Sequence, residues 1–314
     1  MHVFVTGAAG FIGSHTSQAL LNRGDRVSGL DAFDYGYDPQ IKEENAAVLT
    51  QHSGFRLIRG DIRDPILIGR LFTEDPPDVV VHLAARAGVR PSLVDPNSYV
   101  DINVAGTVNI LQAMRAAALN RMVFASSSSV YGARAAGPFG ETDLVDTPAS
   151  PYAATKRAGE LMCATFNHLY GIHTTCLRFF TVYGPRQRPE MAIHLFAERI
   201  SRGETITMFG DGSSLRDYTY VDDIVSGVVA AVDRPLGHVI VNLGNNTPTR
   251  LDDLIAAIGR AVGREPIIEQ QPDQLGDVPM TFANVDRAKE MLDFSPSTPI
   301  EVGLKRFVDW LNRT

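Results

Sequence analysis

Short runs of consecutive apolar residues alternate with longer stretches of helical periodicity through the first half of the chain. The apolar runs predict strands over residues 2–6, 26–30, 55–59, 78–83, 121–126 and 173–178. Near-continuous apolar runs are typical of strands that are covered on both faces. Because strands and helices alternate, we expect right-handed crossovers and a parallel, doubly wound α/β sheet.

The pattern changes after Arg178. Loops rich in aromatic residues, proline and arginine follow, and residues 239–243 predict one further strand that we expect to return to the main sheet. The last helical stretch carries Leu304, Phe307, Val308 and Leu311 on one stripe. We therefore expect two lobes, one formed by residues 1–178 and 216–248, and a smaller, discontinuous one formed by residues 179–215 and 249–314.

Residues 2–31 contain an apolar strand, a glycine-rich turn, a helix and a second strand. In such a turn Gly7 permits the tight bend, Gly10 lets the backbone approach a pyrophosphate, and Gly13 lets helix and strand pack closely. The phosphates are expected at the N-terminus of the helix, where the macrodipole favours an anion. Asp31 ends the second strand and can accept hydrogen bonds from the adenosine ribose hydroxyls. A 2′-phosphate would meet a like charge there, so the sequence predicts a Rossmann-type unit that binds NAD rather than NADP.

Tyr152 and Lys156 are four residues apart in a stretch that predicts a helix over residues 152–170, so they share one helix face. The charge of a lysine, together with a positive nicotinamide ring, lowers the pKa of a tyrosine so that its phenolate can act as a base. Four serines, 126–129, follow the fifth predicted strand, and a serine hydroxyl there can hold a substrate hydroxyl in line. This Tyr/Lys spacing is frequent by chance, and the dinucleotide unit upstream is what makes it informative.

Composition restricts the partners of the chain. Its 314 residues carry a net charge of −7, which leaves no basic surplus to neutralise a nucleic acid. Cys163 and Cys176 are too few for a disulfide framework or a zinc site, and both are interpreted as core residues, so no metal is predicted. No apolar run of spanning length and no signal peptide is seen, and the chain begins in its first strand, which predicts a soluble, cytoplasmic protein without a membrane partner.

Two long helical stretches, residues 99–117 and 152–170, are rich in small residues on one face. Small faces permit close contact between helices. The contact can lie within one chain or across a two-fold homodimer, and the sequence leaves both possibilities open.

Several segments resemble the sugar-nucleotide epimerases and dehydratases of the extended short-chain dehydrogenase/reductase family, and the similarity covers essentially the whole chain. The spacing Gly-x-x-Gly-x-x-Gly, with Phe11 and Ile12 inside it, is typical of that family. The similar segments are 125–132 (ASSSSVYG), 150–156 (SPYAATK), 177–185 (LRFFTVYGP) and 216–223 (RDYTYVDD). Within the family, the chain is most similar to the UDP-glucuronate 4-epimerases at 29–34 (GLDAFD), 82–90 (HLAARAGVR) and 189–192 (PEMA).

The resemblance implies positions for the cofactor. An acid at Asp61 meets the adenine amino group in the family, and the small residues after the fourth strand approach the ribose on the nicotinamide side. The implied cofactor-binding residues are Gly7, Gly10, Phe11, Ile12, Gly13, Asp31, Asp61, Ile62, Leu83, Ala84, Ala85, Tyr152, Lys156 and Phe179.

The resemblance also implies positions for the substrate. Ser127 and Tyr152 contact the reacting 4-hydroxyl group, and Lys156 bridges Tyr152 and the ribose, so these three are the implied catalytic residues. Arg216 is expected at the diphosphate, Asp277 at the uridine ribose, Phe209 near the uracil, and Thr181 with Arg188 at C6 of the sugar. The implied substrate-binding residues are Arg90, Ser127, Ser128, Ser129, Thr181, Arg188, Met191, Phe209, Arg216 and Asp277.

The chain departs from the family pattern in two places. Arg86 stands where a glutamine is expected, and Arg186-Gln187 stand where Trp-Gly is expected. Both departures lie near the implied sugar pocket, which therefore differs locally.

The implied reaction is the interconversion of UDP-glucuronate and UDP-galacturonate at C4. Tyr152 removes the proton of the 4-hydroxyl group while C4 delivers its hydride to NAD. The resulting 4-keto sugar turns about its diphosphate and takes the hydride back on its other face. No net redox change occurs, so a tightly bound NAD is recycled.

Other functions remain open at this point. A 4-epimerase of the UDP-glucose/UDP-galactose type would need the same catalytic groups. Dehydratases and UDP-glucuronate decarboxylases of this family carry an acidic side chain where this chain has Ser128-Ser129, and elimination requires such an acid. A non-catalytic NAD-binding scaffold would not need Ser127, Tyr152 and Lys156.

Overall fold

The computed structural model describes residues 1–34, 36–134, 136–273 and 278–313. The strands among these residues are β1 (His2–Thr6), β2 (Arg26–Asp31), β3 (Phe55–Arg59), β4 (Val79–His82), β5 (Arg121–Ser127), β6 (His173–Phe179), β7 (Thr181–Tyr183), β8 (Thr205–Phe209), β9 (Leu215–Tyr220), β10 (His238–Leu243), β11 (Pro248–Arg250), β12 (Ile267–Gln271) and β13 (Met280–Thr281). The helices are α1 (Phe11–Asn22), α2 (Pro39–Thr50), α3 (Pro65–Glu74), α4 (Val89–Val94), α5 (Pro96–Tyr99), α6 (Gly106–Ala116), α7 (Pro151–Tyr170), α8 (Ala192–Arg202), α9 (Val221–Asp233), α10 (Leu251–Val262), α11 (Asp286–Leu292) and α12 (Ile300–Leu311).

The main sheet has seven parallel strands in the order β10-β6-β5-β4-β1-β2-β3. This order confirms the predicted doubly wound α/β sheet, and β10 returns to it beside β6 as expected. The six strands predicted from the first half are all present, with ends shifted by at most one residue. Because the strands are parallel, their carboxyl ends meet along one edge, where ligands bind in folds of this kind.

The continuous apolar runs are explained by two hydrophobic cores, one on each face of the sheet. Val3 and Val5 of β1 belong to one core, and Phe4 between them belongs to the other. Successive residues of a strand point to opposite faces, so a strand covered on both sides must be apolar at every position. Cys163 and Cys176 are free and buried, as the core interpretation predicts. No helix in the described ranges has the length and apolar character that crossing a bilayer requires.

A smaller group of strands begins in sequence after β6 and lies outside the main sheet. β9 pairs with β7, β11 and β13, while β8 pairs with β12. Only one residue separates β6 from β7, so the chain passes directly from the edge of the main sheet into this group. The division into a lobe of residues 1–178 and 216–248 and a second lobe stays a prediction.

The stretch that predicts one helix over residues 99–117 is interrupted in the structure. α5 ends at Tyr99, a π-helical turn covers Val100–Ala105, and α6 begins at Gly106. In a π-helical turn each hydrogen bond spans one residue more than in an α-helix, and such turns are frequent at functional sites. Apolar periodicity does not record this change of hydrogen bonding.

The start of α7 is set by local chemistry. The hydroxyl of Ser150 accepts a hydrogen bond from the backbone N–H of Ala153 at 3.1 Å, and Pro151 occupies the first helical position. Both features are strong signals for a helix N-terminus. They fix the first turn of α7, which contains Tyr152.

Two glycines, Gly106 of α6 and Gly159 of α7, pack against residues of the main sheet and of the loop after β3. A Cβ atom on Gly159 of α7 would lie 2.4 Å from the ring of Phe124 in β5, and one on Gly106 would lie 2.5 Å from Ile62. Gly159 therefore allows α7 to lie close to β5. α7 also packs against α6 and the π-helical turn within the chain.

We expect Gly159→Ala to lower the free energy of unfolding by about 1–3 kcal/mol, because the new methyl group overlaps the buried ring of Phe124. The matched control is Gly69→Ala in α3, where no atom lies within 4 Å of the added Cβ. That control should raise the free energy of unfolding by about 0.5–1 kcal/mol, the difference in helix propensity. Urea unfolding followed by circular dichroism measures both, and equal effects would contradict the proposed close contact.

Candidate active site

The glycine turn between β1 and α1 is shaped for an anion. Gly7 has a φ of +71°, and a Cβ atom on Gly13 would lie 1.9 Å from the carbonyl oxygen of Gly7, so neither position tolerates a side chain. Gly10, the N-cap of α1, makes no side-chain hydrogen bond, and the first turn contains no acidic residue. The free N–H groups and the macrodipole at this end therefore favour a phosphate. The turn fits a dinucleotide.

Asp31, at the end of β2, is buried and held by three donors. Its Oδ2 accepts the backbone N–H of Ala9 at 3.0 Å, while Oδ1 accepts the N–H of Phe33 at 2.9 Å and Nζ of Lys42 at 3.3 Å. Lys42 also donates to Asp34 at 2.8 Å. Each carboxylate oxygen accepts about two hydrogen bonds, so Oδ2 retains capacity for a ribose hydroxyl. Sequence reasoning missed Lys42, which is eleven residues away and has no motif of its own.

The remaining positions on the cofactor side differ in what they contact. Asp61 is engaged by Arg63, whose backbone N–H and guanidinium donate to it at 2.8 Å and 2.6 Å. The side chain of Phe179, the last residue of β6, is buried in a hydrophobic core. Phe11 and Ile62 are also buried, and the residues that are partly exposed here are Ile12, Leu83, Ala84 and Ala85.

Ser127, Tyr152 and Lys156 come together at the carboxyl ends of β5 and β6. Ser127 is the last residue of β5. Its hydroxyl lies close enough to Tyr152 to oppose the rise of the tyrosine pKa, and it accepts the backbone N–H of Ser129 at 3.2 Å. Nζ of Lys156 donates to the backbone oxygen of Ala125 at 2.7 Å. The ring of Tyr99 lies edge-on to that of Tyr152 with 6.2 Å between centroids. The structure thus brings together the three residues that the sequence predicts as catalytic.

Burial dominates the protonation of this cluster. It raises the pKa of Tyr152 above the usual value, although Ser127 and the charge of Arg188 act in the opposite direction. Burial lowers the pKa of Lys156 to about 8, against the opposing effects of Cys163 and Glu160. In the chain itself burial outweighs these charges, whereas the predicted lowering of the tyrosine pKa includes a bound nicotinamide ring and stays a prediction.

Arg188 approaches the same cluster from the loop after β7. Its charge acts on Tyr152 and Tyr99, and its guanidinium pairs with Glu190 at 2.8 Å while the side chain stays 23% exposed. Thr181 begins β7 and is half-buried. Met191 is the N-cap residue of α8. A cation therefore lies beside the candidate base, on the side expected to receive C6 of the sugar.

Two of the residues predicted to bind the nucleotide part of the substrate lie together in the structure. The guanidinium carbon of Arg90 lies 5.5 Å from the ring centroid of Phe209, which joins two predicted substrate residues. Arg216 lies in β9, and Ser128 and Ser129 lie in a 3₁₀ turn after β5. Asp277 lies outside the described residues. A cavity of about 550 Å³ adjoins Phe209 and is lined by Gly210, Asp211, Gln270, Gln271, Pro272 and Asp273.

Asn103 is a second residue that sequence reasoning missed. It is buried in the π-helical turn, and its side chain bonds the backbone N–H and oxygen of Arg86 at 2.7 Å and 3.0 Å. It also donates to Thr155 at 3.0 Å, whose hydroxyl donates to the backbone oxygen of Tyr152. Asn103 therefore links the loop after β4 to the first turn of α7. The sequence shows only an asparagine within a helical pattern.

Known proteins share both the sequence pattern and the fold of this chain. A family model described as the NAD dependent epimerase/dehydratase family matches residues 3–244. UDP-glucuronate 4-epimerase 4 of Arabidopsis thaliana is 44% identical over 98% of this chain and 74% of its own length. The crystal structure of UDP-glucuronic acid 4-epimerase from Bacillus cereus, in complex with UDP-glucuronic acid and NAD, has a TM-score of 0.94 and 36% identity, covering 100% of this chain and 99% of that one. A UDP-glucose 4-epimerase of Thermotoga maritima, solved with UDP-glucose, has a TM-score of 0.93 and 31% identity over 100% of this chain and 99% of that one.

Proposed function

Since this chain belongs to the NAD dependent epimerase/dehydratase family, we propose that it is a UDP-glucuronate 4-epimerase, which interconverts UDP-glucuronate and UDP-galacturonate. The observation that carries the proposal is the cluster of Ser127, Tyr152 and Lys156, with the cation Arg188 beside it. The similarity to an epimerase crystallised with UDP-glucuronic acid and NAD supports the same assignment.

The cofactor is NAD. The glycine turn and the N-terminus of α1 would hold its pyrophosphate, and Asp31 would accept a hydrogen bond from its adenosine ribose. When bound, NAD accepts the hydride of C4 and returns it, so the reaction has no net redox change.

The chain's own groups handle the proton. Tyr152 takes the proton of the 4-hydroxyl group and gives it back, and the hydroxyl of Ser127, which lies near Tyr152, aligns the reacting oxygen. Lys156 supplies a positive charge near the phenolate and is itself fixed by the backbone oxygen of Ala125. The positive charge of the oxidised cofactor adds to that of Lys156 and opposes the effect of burial on the tyrosine.

Turnover should fall by about 10²-fold or more in Tyr152→Phe, because the general base is lost. The variant should keep its NAD, since no contact of the glycine turn changes. Tyr170→Phe, an exposed tyrosine at the end of the same helix, is the control and should match the wild type. NMR of the sugar products, without added reductant, and the NAD released on denaturation measure both properties. Substantial turnover in Tyr152→Phe would show that another group is the base.

Arg188 is proposed to hold the C6 carboxylate of the substrate. A 4-keto uronate is a β-keto acid, and it loses carbon dioxide fastest when its carboxylate is desolvated and perpendicular to the ketone. A guanidinium offers paired, planar donors that keep a carboxylate charged and in another orientation. The small exposure of Arg188 and its proximity to Tyr99 and Tyr152 support this role.

Arg188→Ala should raise the activation free energy for turnover of UDP-glucuronate by ~2–4 kcal/mol, the range for unpairing a held charge. It should also raise the yield of a pentose by-product. A neutral UDP-hexose should be affected much less. Arg202→Ala removes an exposed arginine that is paired with Glu198 on the surface, and it serves as the control. Product NMR with both substrates decides, and equal losses on both without more by-product would refute the carboxylate assignment.

A 4-epimerase for UDP-glucose is the second candidate, because the Thermotoga maritima structure is similar over the whole chain. The two candidates differ at C6, where only the uronate carries a charge. NMR of products from UDP-glucuronate and UDP-glucose, measured side by side with the wild type, distinguishes them. A UDP-glucuronate decarboxylase would give a pentose as its main product.

We also propose a homodimer formed along α7 and the π-helical turn. Leu161 in α7 is 50% exposed, and Leu169, Tyr170 and Val100 are also exposed apolar residues on these elements. A second copy would cover this surface with the same residues, as a two-fold interface requires. The cytoplasmic location stays a prediction from the sequence.

Light scattering at micromolar concentration should give the mass of a dimer. Leu161→Glu should shift the mass to that of a monomer, because a charge would be buried in the interface. Ile66→Glu, in α3 and away from the proposed interface, should remain a dimer although Ile66 is 82% exposed. A monomeric wild type would contradict the proposal.

A further inference from the structure

One carboxylate beneath the candidate active site collects four hydrogen bonds. Glu160 lies in α7, four residues after Lys156, and its side chain is fully buried. Its Oε1 accepts hydrogen bonds from Oγ of Ser126 at 2.6 Å and from Nε of Arg178 at 2.8 Å. Its Oε2 accepts hydrogen bonds from the guanidinium groups of Arg178 and Arg157, both at 2.9 Å. The contacts tie the helix to two neighbouring strands at once.

The two strand partners lie side by side. Ser126 of β5 and Arg178 of β6 are paired in the register of the main sheet. Each directly precedes a strand end that was predicted to bind ligand, Ser127 in β5 and Phe179 in β6. Because Glu160 bonds both partners, a displacement of α7 along the sheet would break both contacts.

Consecutive residues of β5 make hydrogen bonds to α7. The backbone oxygen of Ala125 accepts a hydrogen bond from Lys156, and the hydroxyl of Ser126 donates one to Glu160. Ser127, the next residue of the strand, lies near Tyr152. The contact of Glu160 is the one that carries a full negative charge into the same buried region.

We infer that Glu160 is a positioning residue for the reaction: its carboxylate fixes α7 on the ends of β5 and β6 and faces Lys156 with a negative charge. The inference rests on the proposed roles of Tyr152 and Lys156. It assigns no contact with the substrate to Glu160.

The buried ion pair between Glu160 and Arg178 is not explained by its contribution to folding stability. Removing two charges from water costs free energy that their attraction often fails to recover, and well-packed apolar residues of similar volume are commonly as stable. Glu160 and Arg178 are both almost completely buried, so this cost applies in full. A function near the reacting groups accounts for a charged pair at this position.

Groups on two elements act on Lys156. Cys163 and then Glu160 of α7 raise its pKa against the effect of burial, and His82 of β4 also lies within electrostatic reach. Burial and then the charge of Lys156 lower the pKa of His82 to about 3, so this histidine is neutral. Glu160 therefore opposes the burial that lowers the pKa of Lys156 to about 8.

The sign of the pH effect follows from this. A lysine is charged below its pKa, so turnover that needs the charge of Lys156 is lost as the pH rises through about 8. Replacing Glu160 by a neutral group removes an effect that raises this pKa. The basic limb of the kcat profile must then move to lower pH.

The first test is Glu160→Gln in the NAD-loaded enzyme, with kcat for UDP-glucuronate measured from about pH 6 to about pH 10. The basic limb should move down by at least about half a pH unit. Arg157→Gln is the control, since Arg157 bonds the same carboxylate but is 30% exposed, and its limb should stay in place or move up. If the basic limb of the kcat profile of Glu160→Gln lies at the same pH as that of the wild type, the inference is overturned.

Glu160→Asp tests the positioning separately and also decides the question if Glu160→Gln does not fold. It keeps the charge but is one methylene shorter, so it cannot meet Ser126 and Arg178 together. We expect kcat to fall by about tenfold, with the KM for UDP-glucuronate and the basic limb unchanged. A wild-type kcat would overturn the inference. Full turnover in Tyr152→Phe would instead overturn the proposed function, so the two failures are distinguishable.

Discussion

The close contact between α7 and β5 is the constraint on which the candidate site depends. The helix lies on the strand at Gly159, where a single methyl group would overlap the ring of Phe124. At this separation a lysine of α7 reaches a backbone oxygen of β5, and a tyrosine lies near the last serine of the strand. Reacting groups that must be held within a fraction of an ångström are thus supported by regular secondary structure rather than by loops.

The same contact explains the electrostatics of the site. The close packing of α7 on β5 excludes water, and a buried charge without a partner costs free energy. Lys156, Asp31 and Glu160 are all buried with partners that the chain itself supplies. Lys42 and Arg178 are the partners that balance the two carboxylates. The site therefore combines low dielectric with nearly complete pairing, which strengthens the charges that act on a bound substrate.

Much of the fold could be predicted from the sequence, because the physical causes are local or periodic. Val3, Phe4 and Val5 are apolar because two cores alternate along β1, and that pattern is visible in the sequence. The glycine turn and Ser150 act through their own backbone, so their positions were also predictable. Asn103 and Lys42 were not, since each bonds residues far from it in sequence. Burial raises the pKa of Tyr152, and this effect depends on the packed structure, so the Tyr/Lys spacing does not reveal it.

The contact between Gly13 and Gly7 has a kinetic consequence. Gly13 packs directly on the backbone of Gly7, and the N–H of Gly7 donates to the oxygen of Leu30 in β2 at 2.7 Å, so contacts within the chain hold the phosphate-binding turn in shape. A ligand that enters it orders little of the protein and keeps most of its interaction energy as affinity, which mainly lengthens its residence time. A catalyst that takes a hydride from its substrate and must return it to the turned intermediate needs the hydride carrier to stay bound throughout each cycle. Gly7 and Gly13, six residues apart in the sequence, contribute to the long residence of the cofactor.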